Sequence, residues 1–129
     1  MSVLVLVVDD ERDIRDLFLQ QFRKELRAKR FFMEFAYSGA EALAKIDEVR
    51  DLDLILVLSD VNMPNMTGLE LLPRLKRMRP DVPIIMITAY SGADMIRQAT
   101  AAGAAGLIPK PIDLAQLRVE IDSRLEIRS

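Results

Sequence analysis

The feature that most constrains the fold is an unbroken apolar run, Leu54–Leu58, which is followed two residues later by an acid. A continuous apolar segment of this length is typical of a strand buried on both faces, which is a central strand of a parallel sheet. In open sheets of that kind, ligands bind beyond the carboxyl ends of the strands. We therefore expect Asp60, which follows the run, at the edge of the sheet where such proteins carry out their chemistry. Pro64 and Gly68 then turn the chain before the next helix.

Four further candidate strands alternate along the chain with segments of helical periodicity. Apolar residues at three- and four-residue spacings predict five helices, the first of them a single helix that begins near Asp10 and runs through Leu26. This alternation favours a parallel sheet with helices on both faces. We therefore predict an α/β fold, a flavodoxin-like (βα)5 three-layer sandwich with strand order 2-1-3-4-5, in one domain over residues 1–129. Pro109 cannot donate to a sheet ladder, which places the fifth strand at an edge. The other four predicted strands are residues 3–8, 31–36, 84–87 and 104–108.

Two of the predicted helices begin with the sequence pattern of a capping box. Thr67 with Glu70 marks the helix after the central strand, and Ser38 with Glu41 marks an earlier one. In such a box, each of the two side chains accepts a hydrogen bond from the backbone N–H of the other residue. The pair Thr67 and Glu70 predicts where the loop that follows Asp60 ends and the next helix begins.

Composition excludes several classes of site and partner. The chain has 129 residues, with no cysteine and no histidine, which rules out disulfides, thiolate metal sites and histidine general bases. Any metal must be a hard cation held by oxygen, such as Mg²⁺. A net charge of −2 gives no basic field for nucleic acid, and the apolar run Val3–Val8 is too short for a signal peptide or a membrane span. We expect no nucleic-acid partner, no membrane partner and a cytoplasmic location.

Polar side chains follow the predicted strands where their carboxyl ends would meet. Asp9 and Asp10 follow the first strand, Asp60 follows the third, Thr88 ends the fourth and Lys110 follows the fifth. Three carboxylates in one place repel one another unless a cation neutralises them, and Mg²⁺ also leaves room for phosphate oxygens. The lysine ammonium and the threonine hydroxyl would bind those oxygens. A nucleophilic carboxylate, a metal and phosphate-binding groups together indicate an acyl phosphate formed on an aspartate.

The chain resembles the receiver domain of two-component response regulators along its whole length. The resemblance implies a domain that accepts a phosphoryl group from the phosphohistidine of a sensor histidine kinase or a histidine phosphotransfer protein. Phosphorylation would then switch a protein-interaction surface. Such a domain catalyses its own phosphorylation and is a phosphoacceptor rather than a turnover enzyme. The motifs that carry the resemblance are Asp9-Asp10, Asp60-Val-Asn-Met63-Pro64 with Gly68, Thr88-Ala89 and Lys110-Pro111.

The resemblance also implies a role for each acid and for one asparagine. Asp60 would be the phosphoacceptor. Asp10 and Asp60 would bind Mg²⁺ directly, with the backbone carbonyl of Asn62 as a further ligand. Asp9 would act mainly through a bound water.

Two further site residues and one departure follow from the same resemblance. Lys110 would pair with the Asp60 carboxylate and then with the phosphoryl group, while Thr88 would bond a phosphoryl oxygen. The Lys110-Pro111 bond is expected to be cis, because the family uses it to aim the lysine and X-Pro is the one inexpensive place for a cis peptide. The departure is Leu107, where relatives usually carry an aromatic residue. We expect phosphorylation to act less through this position than in relatives.

The expected output surface is the face made by the fourth helix, the fifth strand and the fifth helix. A homodimer, if the domain forms one, would use this face. The output partner itself is not encoded in any motif. Because the chain ends soon after the last helix, we expect no effector domain in it, whether it is a stand-alone regulator or a receiver excised from a longer protein.

Two alternative functions stay open on the sequence alone. A phosphatase with an aspartyl nucleophile would share the sheet, the metal and the nucleophile, but it usually carries a second aspartate two residues on as general acid. Asn62 stands at that position and cannot transfer a proton. A binding module of the same fold that works without phosphorylation would have no reason to keep a repulsive acid cluster with Thr88 and Lys110.

Overall fold

The computed structural model describes residues 3–90 and 92–128, which form five strands and six helices. Within this part of the chain no helix is both long enough and apolar enough to cross a membrane. The strands are β1 (Val3–Val8), β2 (Phe32–Ala36), β3 (Asp53–Asp60), β4 (Ile84–Thr88) and β5 (Gly106–Pro109). The helices are α1 (Asp13–Gln21), α2 (Arg23–Arg27), α3 (Gly39–Glu48), α4 (Gly68–Met78), α5 (Ala93–Ala101) and α6 (Leu114–Arg128).

All five strands are parallel and form one sheet in the order β2-β1-β3-β4-β5. The predicted order 2-1-3-4-5 is confirmed, and β5 lies at the edge that Pro109 indicated. Val8 of β1 pairs with Ser59 of β3, and Asp60 pairs with Ile87 of β4. This register brings the carboxyl ends of the three central strands to the same edge of the sheet.

Helices cover both faces of the sheet, which confirms the three-layer sandwich. On one face Leu54 and Val57 of β3 belong to a core that includes residues of α3, α4 and α5. On the other face Leu56 and Leu58 belong to a core that includes residues of α1 and α6. The central strand is apolar without alternation because it is buried on both sides. Each such side chain contributes about 1.5–3 kcal/mol by leaving water.

The first helix differs from its prediction, because it is broken into α1 and α2 at Phe22. This residue has φ −104° and ψ 20°. Its ring is buried edge-on between those of Phe18 and Phe31, at centroid distances of 6.0 and 5.9 Å. Aromatic pairs in this arrangement contribute about 0.5–1.5 kcal/mol beyond the area that they bury. The prediction of one helix through Leu26 was wrong. Leu26 packs on the same core after the break, so the spacing of apolar residues continues across Phe22 and does not reveal the break.

The fifth strand begins two residues later than predicted. Gly103 has a left-handed φ of 104°, and the N–H of Ala104 donates to the Ala99 carbonyl at 2.9 Å. A glycine in this conformation is a common way to end a helix. Residue 104 is thus used in leaving α5. The Ala105 N–H already donates to the Ile84 carbonyl of β4 at 2.8 Å, and the residue pairs of the β4–β5 ladder start at Gly106.

The capping predictions are confirmed in full at one helix and in half at the other. The Thr67 hydroxyl accepts from the Glu70 N–H at 3.2 Å, and the Glu70 carboxylate accepts from the Thr67 N–H at 3.0 Å. The Ser38 hydroxyl accepts from the Glu41 N–H at 3.0 Å, but the Glu41 carboxylate accepts from the residue before Ser38. The complete box fixes the start of α4 directly behind the loop that follows Asp60.

Candidate functional site

Three carboxylates meet at the carboxyl edge of the sheet. Asp60 is the last residue of β3, and Asp9 follows β1, where its N–H donates to the Ala36 carbonyl at 3.0 Å. Asp9 and Asp60 are only 5% and 4% exposed, whereas the adjacent Asp10 is exposed. One oxygen from each of the three lies within 4.8 Å of the others. The structure therefore brings together the three acids that the sequence singled out.

Lys110 reaches this acid cluster from the loop after β5. Its Nζ lies 3.3 Å from Asp60 Oδ1. Its backbone N–H donates to the Thr88 carbonyl at 2.8 Å, which ties the loop to the end of β4. The Lys110-Pro111 bond is cis, as predicted. The ammonium thus lies against the carboxylate that we predicted to be the nucleophile.

Burial and neighbouring charges set the ionisation of this cluster. Burial raises the pKa of Asp60 above its ordinary value, although the charge and hydrogen bond of Lys110 and the N–H of Asn62 act in the opposite direction. Burial also raises the pKa of Asp9, against the hydrogen bond from the Glu11 N–H, and the Asp60 charge raises it further. Burial alone would lower the pKa of Lys110, but the charge and hydrogen bond of Asp60 and the charge of Asp9 outweigh it, so this pKa is raised. One lysine therefore faces several acids, a balance that a bound cation would complete.

The two remaining predicted residues lie beside the cluster. Asn62 is exposed, and its backbone N–H bonds the Asp60 carboxylate. Thr88 is fully buried at the end of β4, where its hydroxyl accepts from the Tyr90 N–H at 3.0 Å. That hydrogen bond stays within the loop of Thr88 rather than joining the acid cluster.

Two glycines allow the chain after Asp60 to approach neighbouring atoms more closely than a side chain would permit, which the sequence did not reveal. A Cβ on Gly68 would lie 2.2 Å from the Asp60 backbone oxygen and 2.9 Å from Val61 Cα. A Cβ on Gly39 would lie 2.6 Å from Met66 Sδ. The loop therefore packs closely against the first residues of both α4 and α3. The sequence motif after Asp60 includes Gly68, but no local pattern indicates how close Gly68 lies to the end of β3.

An open groove of about 340 Å³ adjoins the acid cluster and runs along α1. Asp9 and Lys110 line it, as do apolar side chains that include Ile14, Leu17 and Ile112. The apolar spacing that Leu17 shares with Phe18, Phe22 and the other apolar residues of the first helix predicts that it lies on the buried face, but this side chain is 42% exposed. Leu17 was misassigned because an apolar residue at helical spacing gives the same pattern whether its side chain is buried in the core or lines a groove at the surface.

Comparison with known proteins identifies the family of this chain. The family model described as the response regulator receiver domain matches residues 5–122. Sporulation initiation phosphotransferase F of Bacillus subtilis is 33% identical over 130 residues, which cover 100% of this chain and 98% of that protein. The response regulator protein PilR of Pseudomonas aeruginosa is 36% identical over 127 residues, which cover 96% of this chain but only 26% of that protein. The chain likewise spans 48% of the response regulator MprA of Mycobacterium tuberculosis, at 37% identity.

Solved structures give the same assignment. A CheY-like response regulator receiver domain protein from Methanospirillum hungatei superposes with a TM-score of 0.83 at 31% identity, covering 98% of this chain and 95% of that one. The chemotaxis protein CheY4 of Vibrio cholerae superposes with a TM-score of 0.80 at 30% identity, covering 95% and 98%. Receiver domains are the phosphoacceptors of two-component systems. With the matched family, the shared fold and the acids and lysine at the strand ends, this chain belongs to the response regulator receiver domain family.

Proposed function

We propose that residues 1–129 act as one receiver domain in the cytoplasm. Asp60 accepts a phosphoryl group from the phosphohistidine of a sensor histidine kinase or a histidine phosphotransfer protein, in a reaction that requires Mg²⁺. The observation that carries the proposal is the meeting of the Asp60 carboxylate with Lys110 Nζ at 3.3 Å and with the carboxylates of Asp9 and Asp10.

The donor set fits Mg²⁺. Asp10 and Asp60 would hold the ion directly, the backbone carbonyl of Asn62 would be a further ligand, and Asp9 would act mainly through a bound water. All of these are hard oxygen donors, the type that Mg²⁺ prefers, and the three carboxylates lie within 4.8 Å of one another. When bound, Mg²⁺ supplies positive charge to the acids and to the phosphoryl oxygens.

The residues of the chain perform the transfer itself. A carboxylate oxygen of Asp60 attacks phosphorus, so that an O–P bond forms, the N–P bond of the phosphohistidine breaks and the donor imidazole keeps its electron pair. Lys110, already held against Asp60, stabilises negative charge on the phosphoryl oxygens. The Thr88 hydroxyl accepts its bond from Tyr90, which leaves its own proton to donate to a phosphoryl oxygen. The acyl phosphate stays on the protein, which makes the domain an autocatalytic phosphoacceptor rather than a turnover enzyme.

The groove along α1 is the proposed binding place of the phosphodonor. It leads to Asp9 and Lys110, and its exposed Leu17 and neighbouring Ile112 offer an apolar surface next to polar chemistry. An apolar patch with a polar border is typical of a protein-interaction site. A donor helix that covers Leu17 would bring its phosphohistidine to the end of the groove nearest Asp60.

The proposed output surface comprises α5, β5 and α6, which are the fourth helix, fifth strand and fifth helix predicted from the sequence. Ile96 on α5 is 48% exposed and Val119 on α6 is 67% exposed. These exposed apolar side chains on α5 and α6 support an interaction surface here, including a homodimer. New charge on Asp60 would bias this face through Thr88 and Lys110, which are bonded to each other by their backbones.

Mass spectrometry after incubation with acetyl phosphate and Mg²⁺ tests the phosphoacceptor assignment. The parent should gain one phosphoryl group, and removal of Mg²⁺ with EDTA should abolish the gain. Asp60→Asn should gain none, whereas Asp16→Asn, which changes an exposed acid on α1, should behave as the parent does. Equal labelling of Asp60→Asn would contradict the assignment. Repeated hydrolysis of para-nitrophenyl phosphate would favour the phosphatase instead.

A further inference from the structure

A second groove, which the proposed phosphotransfer does not use, lies between α3 and α4. It has a volume of about 440 Å³ and is lined by Leu43, Arg74, Arg77 and Met78. Leu43 packs on the core beneath it, while Met78, the last residue of α4, is 42% exposed. The groove thus combines an apolar floor, an exposed methionine and two guanidinium groups.

The two arginines of this groove differ from the other basic residues around the end of α4. Lys76 donates to two carbonyls of the loop that follows α4, at 3.3 and 3.4 Å, and Arg79 pairs with an aspartate two residues on, at 3.4 Å. Over the described residues, Arg74 and Arg77 form no ion pair with a carboxylate, and Arg74 acts on Glu70 only as a nearby charge. The fold therefore pairs two of these four basic residues, whereas the two exposed arginines of the groove have no carboxylate partner among the described residues.

We propose that the groove binds an acidic amphipathic helix of a partner protein. Its apolar side would pack on Leu43 and Met78, and its carboxylates would pair with Arg74 and Arg77. Arginine and methionine are enriched at protein interfaces, methionine adapts its shape to a partner, and guanidinium groups bind carboxylates in a bidentate manner. A helix laid in an apolar groove is a common recognition mode.

Charge separates this occupant from the other candidates. A nucleic acid or an anionic membrane requires a broad basic field, whereas the whole chain has a net charge of −2. A two-fold contact of this face with a second copy would set the same patch against itself, so that Arg74 and Arg77 would meet like charges. A short helix with its own carboxylates meets neither obstacle.

Fluorescence anisotropy with a synthetic helix tests the proposal. The probe is a fluorescein-labelled peptide with leucines at helical three- and four-residue spacings and glutamates beside them, added to the whole chain. We expect saturable binding that the double variant Arg74→Glu/Arg77→Glu weakens at least about tenfold, because two attractive charge contacts become repulsive. The matched control Arg23→Glu/Arg27→Glu makes the same charge change on α2, which lies on the opposite face of the sheet, and should alter the affinity less than about twofold.

NMR mapping on the unmodified chain gives a second readout that does not depend on a variant folding. Peptide addition should shift the methyl signals of Leu43 and Met78. Equal loss of binding in both charge-reversed variants, unchanged Leu43 and Met78 signals, or no saturable binding would overturn the proposal. Tighter binding of a DNA duplex or of phosphatidylserine vesicles than of the peptide would overturn it too. Labelling by acetyl phosphate should be the same in all variants, so failure here is distinguishable from failure of Asp60 as the phosphoacceptor.

Discussion

Replacement of Gly68 by alanine should destabilise the domain because the new Cβ would meet backbone on two sides. It would lie 2.2 Å from the Asp60 backbone oxygen, 2.9 Å from Val61 Cα and 2.7 Å from the side-chain methyl of Met86. The methionine methyl rotates away at little cost. The carbonyl and the Cα belong to the end of β3, however, and move only if the strand moves.

The size of the effect follows from these distances. To reach 3.0 Å, below which real Cβ atoms are essentially never found, the Asp60 carbonyl must retreat by about 0.8 Å. Overpacking that shifts backbone costs about 1–3 kcal/mol and occasionally more, and contact on two sides places Gly68→Ala near about 3 kcal/mol. For a domain of this size that corresponds to a fall in Tm of about 10 °C.

Gly106→Ala is the matched control, because its Cβ would meet only Ile85 Cγ1 at 3.8 Å, an ordinary contact. It should change the free energy of unfolding by less than about 1 kcal/mol, with a small gain from the stiffer unfolded chain. Urea unfolding followed by circular dichroism measures both variants. If Gly68→Ala unfolds within about 1 kcal/mol of the parent, the close contact does not constrain the end of β3 and the reasoning fails.

Three other contacts give predictions of their own. Arg118 lowers the pKa of Glu25 through a hydrogen bond, so Glu25→Gln should cost about 1 kcal/mol in urea unfolding at pH 7. That difference should vanish as the pH falls well below 4.5, since the stabilisation is lost when Glu25 is protonated; a constant difference would contradict it. Leu17→Asp should slow phosphotransfer from a histidine donor about tenfold and leave labelling by acetyl phosphate unchanged, whereas the control Val119→Asp should slow neither reaction. If Leu17→Asp and the parent accept the phosphoryl group from the donor at equal rates, the groove does not bind the donor. Leu107→Tyr should enlarge the hydrogen-exchange response of α5, β5 and α6 to beryllofluoride, and a response no larger than the parent's would count against the prediction.

The sheet could be predicted because its signals are local. The uninterrupted apolar run of β3 predicts burial on both faces, and Pro109 predicts an edge for β5; the structure has both. The break at Phe22 could not be predicted, because the apolar spacing continues across it and the ring of Phe31 packs on Phe22 only in the folded chain. The spacing of apolar residues shows which side chains lie on the same face of a helix, but it does not show whether the helix is continuous.

The acid cluster could be predicted for a topological reason, whereas its support could not. Parallel strands bring their carboxyl ends to one edge, so Asp9, Asp60 and Lys110 meet once the strand order is known. The distance between Gly68 and the Asp60 carbonyl depends on how the loop folds back, and nothing in the sequence specifies it. Leu17 was misassigned for a related reason, since its exposure depends on where the loop after Lys110 runs.

The structure also bears on how a receiver with Leu107 transmits a signal. Leu107 pairs with Met86 and packs, half-buried, on the core beneath α5, so it already has an apolar environment without any phosphoryl group. Lys110 instead holds Asp60 through Nζ at 3.3 Å and the Thr88 carbonyl through its backbone N–H at 2.8 Å. If Asp60 carries a phosphoryl group, as proposed, the Lys110 ammonium would pair with the phosphoryl oxygens, and its backbone bond to Thr88 would carry the change to β4. We infer that in this domain the lysine loop, rather than position 107, links the acid cluster to the output surface.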